Sequence, residues 1–62
     1  MKYSIKELRA RYNITQVELG KELDVAVGTI YNWERNPQKI KLEDAQKLAN
    51  YFKITIDEIR LN

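Results

Sequence analysis

The chain contains neither cysteine nor histidine. No disulfide can staple it, and the thiolate and imidazole ligands of ordinary zinc sites are missing. Glycine and proline are scarce, with 2 Gly and 1 Pro, which leaves little turn chemistry for a β-meander. No stretch approaches the roughly 18 apolar residues of a membrane span, and Met1-Lys2-Tyr3 does not lead into a signal-peptide core. A Gly-rich phosphate loop is absent, and the carboxylates fall at capping positions or on polar faces rather than paired in a cleft. These absences predict a protein that is not an enzyme and needs no cofactor, metal or small-molecule substrate. They also predict no membrane partner and a cytoplasmic location. Charge of one sign is lacking as well: 11 basic and 9 acidic residues leave a net +2, which by itself does not point to nucleic acid.

What is present fits a single domain over residues 1–62. A chain of this size buries only about 60% of the surface it exposes when unfolded. Its stability must come from efficient helix packing, with self-association as a further source. The charges are patchy. Residues 1–13 carry Lys2, Lys6, Arg9 and Arg11 against Glu7, and residues 14–24 carry Glu18, Glu22 and Asp24 against Lys21. Residues 25–41 turn basic again, with Arg35, Lys39 and Lys41 against Glu34.

Helical periodicity dominates. Ser4-Ile5-Lys6-Glu7 is a capping box that opens a first helix with Ile5, Leu8 and Tyr12 on one face, fading near Asn13. A second box, Thr15-Gln16-Val17-Glu18, opens a second helix to about Leu23, burying Leu19 and Leu23. A third helix covers Val27 to Arg35 and stops at Asn36-Pro37, because proline disfavours helix in the residue before it. Residues 36–41 read as a polar, basic loop. A fourth helix places Leu42, Ala45, Leu48, Ala49 and Phe52 on one face. A third box, Thr55-Ile56-Asp57-Glu58, is expected to open a short fifth helix ending near Leu61. The predicted fold is all-α, with five helices and no strand.

The informative stretch is residues 15–35, TQVELGKELDVAVGTIYNWER. Two short helices meet across Asp24-Val25-Ala26, the connection length of a helix-turn-helix. Gly20 is placed where the second helix crosses the third, so a missing side chain there lets backbones approach. At 100° per residue, Ala26, Ile30 and Trp33 fall within about 60° and form the expected core stripe. Trp33 is thus read as core rather than as a base-stacking platform. Val27, Gly28, Tyr31, Asn32 and Arg35 fall within about 140° on the other side. A methyl-bearing side chain, a bare backbone, a phenol, a carboxamide and a guanidinium make a surface suited to base edges in a major groove. Asn32 can pair bidentately with adenine, against the plainer alternative of a phosphate or water contact. Thr29 lies at the boundary, within reach of a phosphate. Arg35 either contacts a phosphate or caps the last carbonyls of its own helix.

Here the sequence resembles the phage repressor and Cro-type helix-turn-helix domain, the XRE-like group, over residues 5–60. That group's pattern of T-Q-x-x-L-A/G-x-x-L, a turn valine, and T-I-x-x-W/I-E is matched by Thr15, Gln16, Leu19, Gly20, Leu23, Val25, Thr29, Ile30, Trp33 and Glu34. The resemblance implies a five-helix, lambda-repressor-like domain and a sequence-specific regulator on double-stranded DNA. It implies that Gln16 bonds a phosphate and braces the recognition helix, and that Arg9 and Glu34 form an ion pair linking the first helix to the end of the third. It gives base reading to Val27, Gly28 and Asn32, with Tyr31 beside them, and phosphate contact to Gln38, Lys39 and Lys41. Two positions depart from the pattern: Asp24 replaces a frequent Gly, and Ala26 replaces a frequent Ser, which removes a helix cap.

Tyr3, Tyr51, Ile56, Ile59 and Leu61 exceed what so small a core needs. One reading gives Tyr51, Ile56, Ile59 and Leu61 to a homodimer contact on DNA, with half-sites about 34 Å apart. The other has Ile56 and Ile59 simply closing the monomer core. The leading functional expectation is a repressor or Cro-like regulator on a pseudo-palindromic operator. The alternative is a protein-interaction module, or an antitoxin of the same fold, whose main partner is another protein.

Overall fold

The computed structural model describes residues 2–62, and its first helix begins where the Ser4 box requires. The Glu7 amide donates to Ser4 Oγ at 3.1 Å, and the Ser4 amide donates to Glu7 Oε1 at 2.7 Å. Two amides that a helix start leaves unpaired are thereby satisfied. Helix α1 spans Ile5–Tyr12 and ends on Asn13 in the left-handed region, with φ 52°. Helix α2 spans Gln16–Leu23 and opens on the Thr15 box in the same way, with bonds of 3.0 and 2.9 Å. It ends on Asp24 at φ 59°. That left-handed turn explains why glycine is frequent here in the XRE-like pattern. Asp is among the few other residues that tolerate this conformation.

Helix α3 spans Val27–Arg35. Its N-cap, Ala26, makes no side-chain bond, as an alanine must. Residues 37–39 wind into one 3-10 turn within the expected loop. Helix α4 spans Leu42–Phe52 and closes on Lys53 at φ 57°. The core gathers Ile5 and Leu8 from α1, Leu19 from α2, Ile30 and Trp33 from α3, and Leu48, Ala49 and Phe52 from α4, with Ile59 added from the C-terminal segment. Fully burying side chains of this size contributes about 1.5–3 kcal/mol each.

The expected fifth helix does not form. After Thr55 the chain makes a single 3-10 turn, Ile56–Glu58, and then extends. The cause lies at the other end of the sequence. The Tyr3 amide donates to the Glu58 carbonyl at 2.7 Å, and the Arg60 amide donates to the Tyr3 carbonyl at 2.8 Å. This parallel bridge between Tyr3 and Ile59 uses backbone groups that a continuing helix would need. The fold is therefore four α-helices, with no strand beyond that isolated bridge among the described residues.

Leu42, Ala26 and Tyr12 are more exposed than the apolar periods predict. Leu42 is 74% exposed rather than buried. It is the first residue of α4, where a Cβ tilted toward the helix N-terminus has no preceding turn to cover. Ala26 is exposed because its ψ of 149° places it before the helix, where the 100° wheel does not apply. Tyr12 is 48% exposed, yet its hydroxyl donates to the Phe52 carbonyl at 2.8 Å and its ring meets the Phe52 ring edge-on at 5.2 Å.

Candidate nucleic-acid interface

The candidate interface is built on the angle between α2 and α3, and Gly20 sets that angle. A Cβ placed on Gly20 would lie 2.8 Å from the Val25 carbonyl oxygen and 3.6 Å from the Val27 nitrogen. The close approach is to the turn and the start of α3, one step earlier than a helix crossing. The Gly20 carbonyl also accepts from the Val25 amide at 2.8 Å. Glycine costs a helix about 1 kcal/mol relative to alanine, but any side chain here would press on the Val25 carbonyl oxygen.

A second clamp holds α3 from its far end. Glu34 accepts from Arg9 Nε at 2.6 Å, from Arg9 Nη2 at 3.2 Å and from Gln16 Nε2 at 3.1 Å. Arg9 also donates to the Ile14 carbonyl at 3.2 Å. The ion pair is mostly screened from water, with its side chains 17% and 11% exposed. One carboxylate thus joins α1, the start of α2 and the end of α3. Gln16 sits in a cleft of about 510 Å³ at the start of α2, beside Arg9 and Thr15.

Held in this way, α3 presents two unlike sides. Ile30 and Trp33 are buried, while Val27, Gly28, Tyr31, Asn32 and Arg35 are exposed together. Val27 is 45% exposed and Tyr31 48%, a large apolar and aromatic area to leave in water. A Cβ on Gly28 would meet nothing within 4 Å, so no packing inside the molecule requires that glycine. Thr29 is half-buried at the edge of this face.

The phosphate-contact candidates are also brought close. Thr29, Asn32, Trp33, Asn36 and Lys39 line one cleft of about 360 Å³ between α3 and the 3-10 turn. Asn36 was not among the sequence candidates. Its one signal is its place before Pro37, where the chain leaves the helix. Gln38, Lys39 and Lys41 are exposed around that turn. Within residues 27–41 the single acidic residue is Glu34, already neutralised by Arg9, so Arg35, Lys39 and Lys41 leave this segment basic. Arg35 caps no carbonyl. Its guanidinium lies over the Tyr31 ring, 5.5 Å from the centroid, and Nη1 donates to the Tyr31 hydroxyl at 3.3 Å.

The four dimer candidates do not form one surface. Ile59 is 1% exposed and belongs to the monomer core. Tyr51 packs on Phe52 and lines a cleft with Tyr12, Glu18 and Glu22. Ile56 and Leu61, with the edge of Ile59, instead border a cleft with Leu42, Lys2 and Asp57.

A helix-turn-helix family model matches residues 5–59. Three relatives are described as uncharacterized HTH-type transcriptional regulators. One from Archaeoglobus fulgidus is 39% identical over 95% of this chain and 83% of its own length. Another from Methanocaldococcus jannaschii is 37% identical over 95% and 89%. A second A. fulgidus protein is 36% identical over 95% and 84%. No solved structure matches the chain. The chain belongs to the helix-turn-helix family. Its class is that of the DNA-binding transcriptional regulators, which are not enzymes. No helix among the described residues is long and apolar enough to cross a membrane.

Proposed function

We propose that this protein is an operator-binding repressor or Cro-like regulator that inserts α3 into the major groove of a pseudo-palindromic site in cytoplasmic DNA. The observation that carries the reading is the division of α3. Its inner side is held by Gly20 and Glu34, while Val27, Gly28, Tyr31 and Asn32 are exposed on the outside. Those four read bases. Gln16, Thr29, Gln38, Lys39 and Lys41 hold the flanking phosphates, so contacts that fix register are separate from contacts that read sequence. Gly28 and Val27 supply little hydrogen bonding, and apolar contact with thymine methyls takes a larger share. Repression follows from occupancy of the site.

Two copies bind as a homodimer on DNA, one per half-site about 34 Å apart. The shallow apolar cleft of Leu42, Ile56 and Leu61 supports that arrangement, with Leu42 joining residues that the sequence singled out.

Selection from a randomised duplex pool at two salt concentrations tests the proposal. Enrichment of a two-fold-symmetric site is expected. Asn32→Ala should then relax one base pair per half-site at about 1–3 kcal/mol, while Lys39→Ala should weaken all sequences alike and lower the salt slope by about one. Weak, salt-sensitive binding with no enriched sequence would sink the operator reading.

A further inference from the structure

We infer that Arg35 is a positioning residue for Tyr31, not an independent phosphate contact, and that it turns the Tyr31 hydroxyl into an outward-facing donor. The inference rests on the DNA-binding reading above. Tyr31 and Arg35 lie one helical turn apart on α3, a spacing at which side chains meet. The guanidinium covers the phenol ring at 5.5 Å and donates to its oxygen at 3.3 Å. Two contacts from one rigid, planar group fix both the tilt of the ring and the place of its hydroxyl.

The hydrogen-bond inventory then decides what the hydroxyl can do. A phenol has one proton to donate and lone pairs to accept. Arg has donors only, so against Arg35 the oxygen must accept. The hydroxyl proton is left to point away from the helix. A donor polarised by accepting from a cation is also a stronger donor. The acceptors that a major groove offers are the purine N7, guanine O6 and thymine O4, whereas a cytosine amino group offers none there. Tyr31 held this way selects for an acceptor and against cytosine N4.

Arg35 is available for this task. The one ion pair among the described residues is Arg9–Glu34, and Glu34 is occupied by Arg9 and Gln16. No carboxylate competes for the Arg35 guanidinium within ion-pair distance. An exposed Tyr31 without Arg35 keeps its freedom of rotation, and ordering it on DNA then opposes binding.

The test uses the full chain, an enriched operator duplex and a scrambled duplex, with binding measured across a salt series. The variants are Arg35→Lys, Arg35→Met, Tyr31→Phe and the two double variants. Both positions are exposed, and circular dichroism checks that each variant folds. Arg35→Met is expected to weaken operator binding between about three- and tenfold, the range for losing one hydrogen bond. Scrambled DNA should be bound as before, with the salt slope unchanged. Arg35→Lys keeps the charge but loses the planar fork, so it should show most of the same loss. In the Tyr31→Phe background neither change at position 35 should matter further. The proposal is overturned if Arg35→Met weakens both duplexes equally and lowers the slope by about one, the signature of a lost phosphate contact. Full rescue by Arg35→Lys, or independent losses at positions 31 and 35, overturns it as well. A wild-type chain that prefers neither duplex removes the operator-reading function itself, and that result appears before any variant is compared.

Discussion

A Cβ at Gly20 would press against the Val25 carbonyl oxygen at 2.8 Å, whereas a Cβ at Gly28 would stand in open space. The same residue type therefore answers two different demands. Gly20 is needed by the fold, since the turn between α2 and α3 passes where a side chain would be. Nothing in the fold needs Gly28, although an exposed helical glycine is destabilising by about 0.5–1 kcal/mol relative to alanine. A similar contrast runs through the rest of the helix-turn-helix. The inner side is over-determined, with Glu34 bonded to two elements, Ile30 fully buried and Gly20 in close contact. The outer side of α3 has an uncapped start and exposed apolar surface. One side has been settled by packing, and the other leaves its groups unmatched until a partner supplies the complement.

The largest effect is expected at Glu34. Glu34→Ala leaves the Arg9 guanidinium largely screened from water with no counter-charge, and should lower stability by about 3 kcal/mol. For a domain whose whole stability is on the order of 3–9 kcal/mol, that is a large share. Urea titration followed by circular dichroism measures it. Replacing Arg9 and Glu34 together with apolar residues of matching volume should recover most of the loss. A Glu34→Ala chain as stable as the parent would show that the clamp does not hold the inner side.

Gly20→Ala comes next. Overpacking against a backbone oxygen opposes folding by about 1–3 kcal/mol, and alanine's better helix propensity returns up to about 1 kcal/mol. A net loss of about 1–2 kcal/mol follows from the two. Gly28→Ala should have the opposite sign. It should raise stability by about 0.5–1 kcal/mol, a gain of several degrees in Tm at this chain length. The same variant should bind an enriched operator more weakly, while its affinity for scrambled DNA stays as it was. Thermal melts paired with binding isotherms decide the matter. Equal operator affinity before and after Gly28→Ala would leave the bare outer surface without a role.

Much of the inner side is legible in the sequence because it is local. The capping residues Ser4 and Thr15, the helix-ending Asn13, and the Ile30 and Trp33 stripe each depend on neighbours within about one helical turn. The Arg9–Glu34 pair spans a longer separation, and it was read from resemblance rather than from spacing. The misreading of the fifth helix arose where a distant segment intervened. Thr55 and Glu58 do meet, with the Thr55 amide and hydroxyl both donating to the carboxylate at 3.0 and 3.1 Å. The helix expected to follow is diverted by Tyr3, which no local pattern at residues 55–61 contains. Leu42 matched the apolar period of α4, but period alone does not mark which end of a helix overhangs its core. On the outer side, residue types suggested what Tyr31 and Arg35 can bond. Their contact with each other depends on rotamers, which spacing permits but does not fix.

The smallest expected effect concerns how helices begin, and it separates the boxed starts from the uncapped start of α3. Glu7, Glu18 and Glu58 each hold a pKa below the ordinary 4.5. In each the largest cause is the backbone amide of Ser4, Thr15 or Thr55, followed by the hydroxyl of the same residue. A carboxylate whose pKa is lower folded than unfolded stabilises the fold fully above the unfolded value. That contribution is lost as pH falls through the folded value. Tm should therefore hold from neutral pH to about pH 5 and decline below it. Gln at all three positions can still accept the capping bonds but carries no titrating charge. The triple variant should begin less stable at neutral pH and show a flatter decline in acid. Helix α3 has no acidic residue in its first turn and no side-chain cap. Amide exchange at residues 27–29 should be faster than at the starts of α1 and α2 at neutral pH. That difference should narrow as acid opens the two boxes. If instead the first turn of α3 is as protected as the capped starts, the contrast between a sealed inner frame and an open reading helix fails at its weakest point.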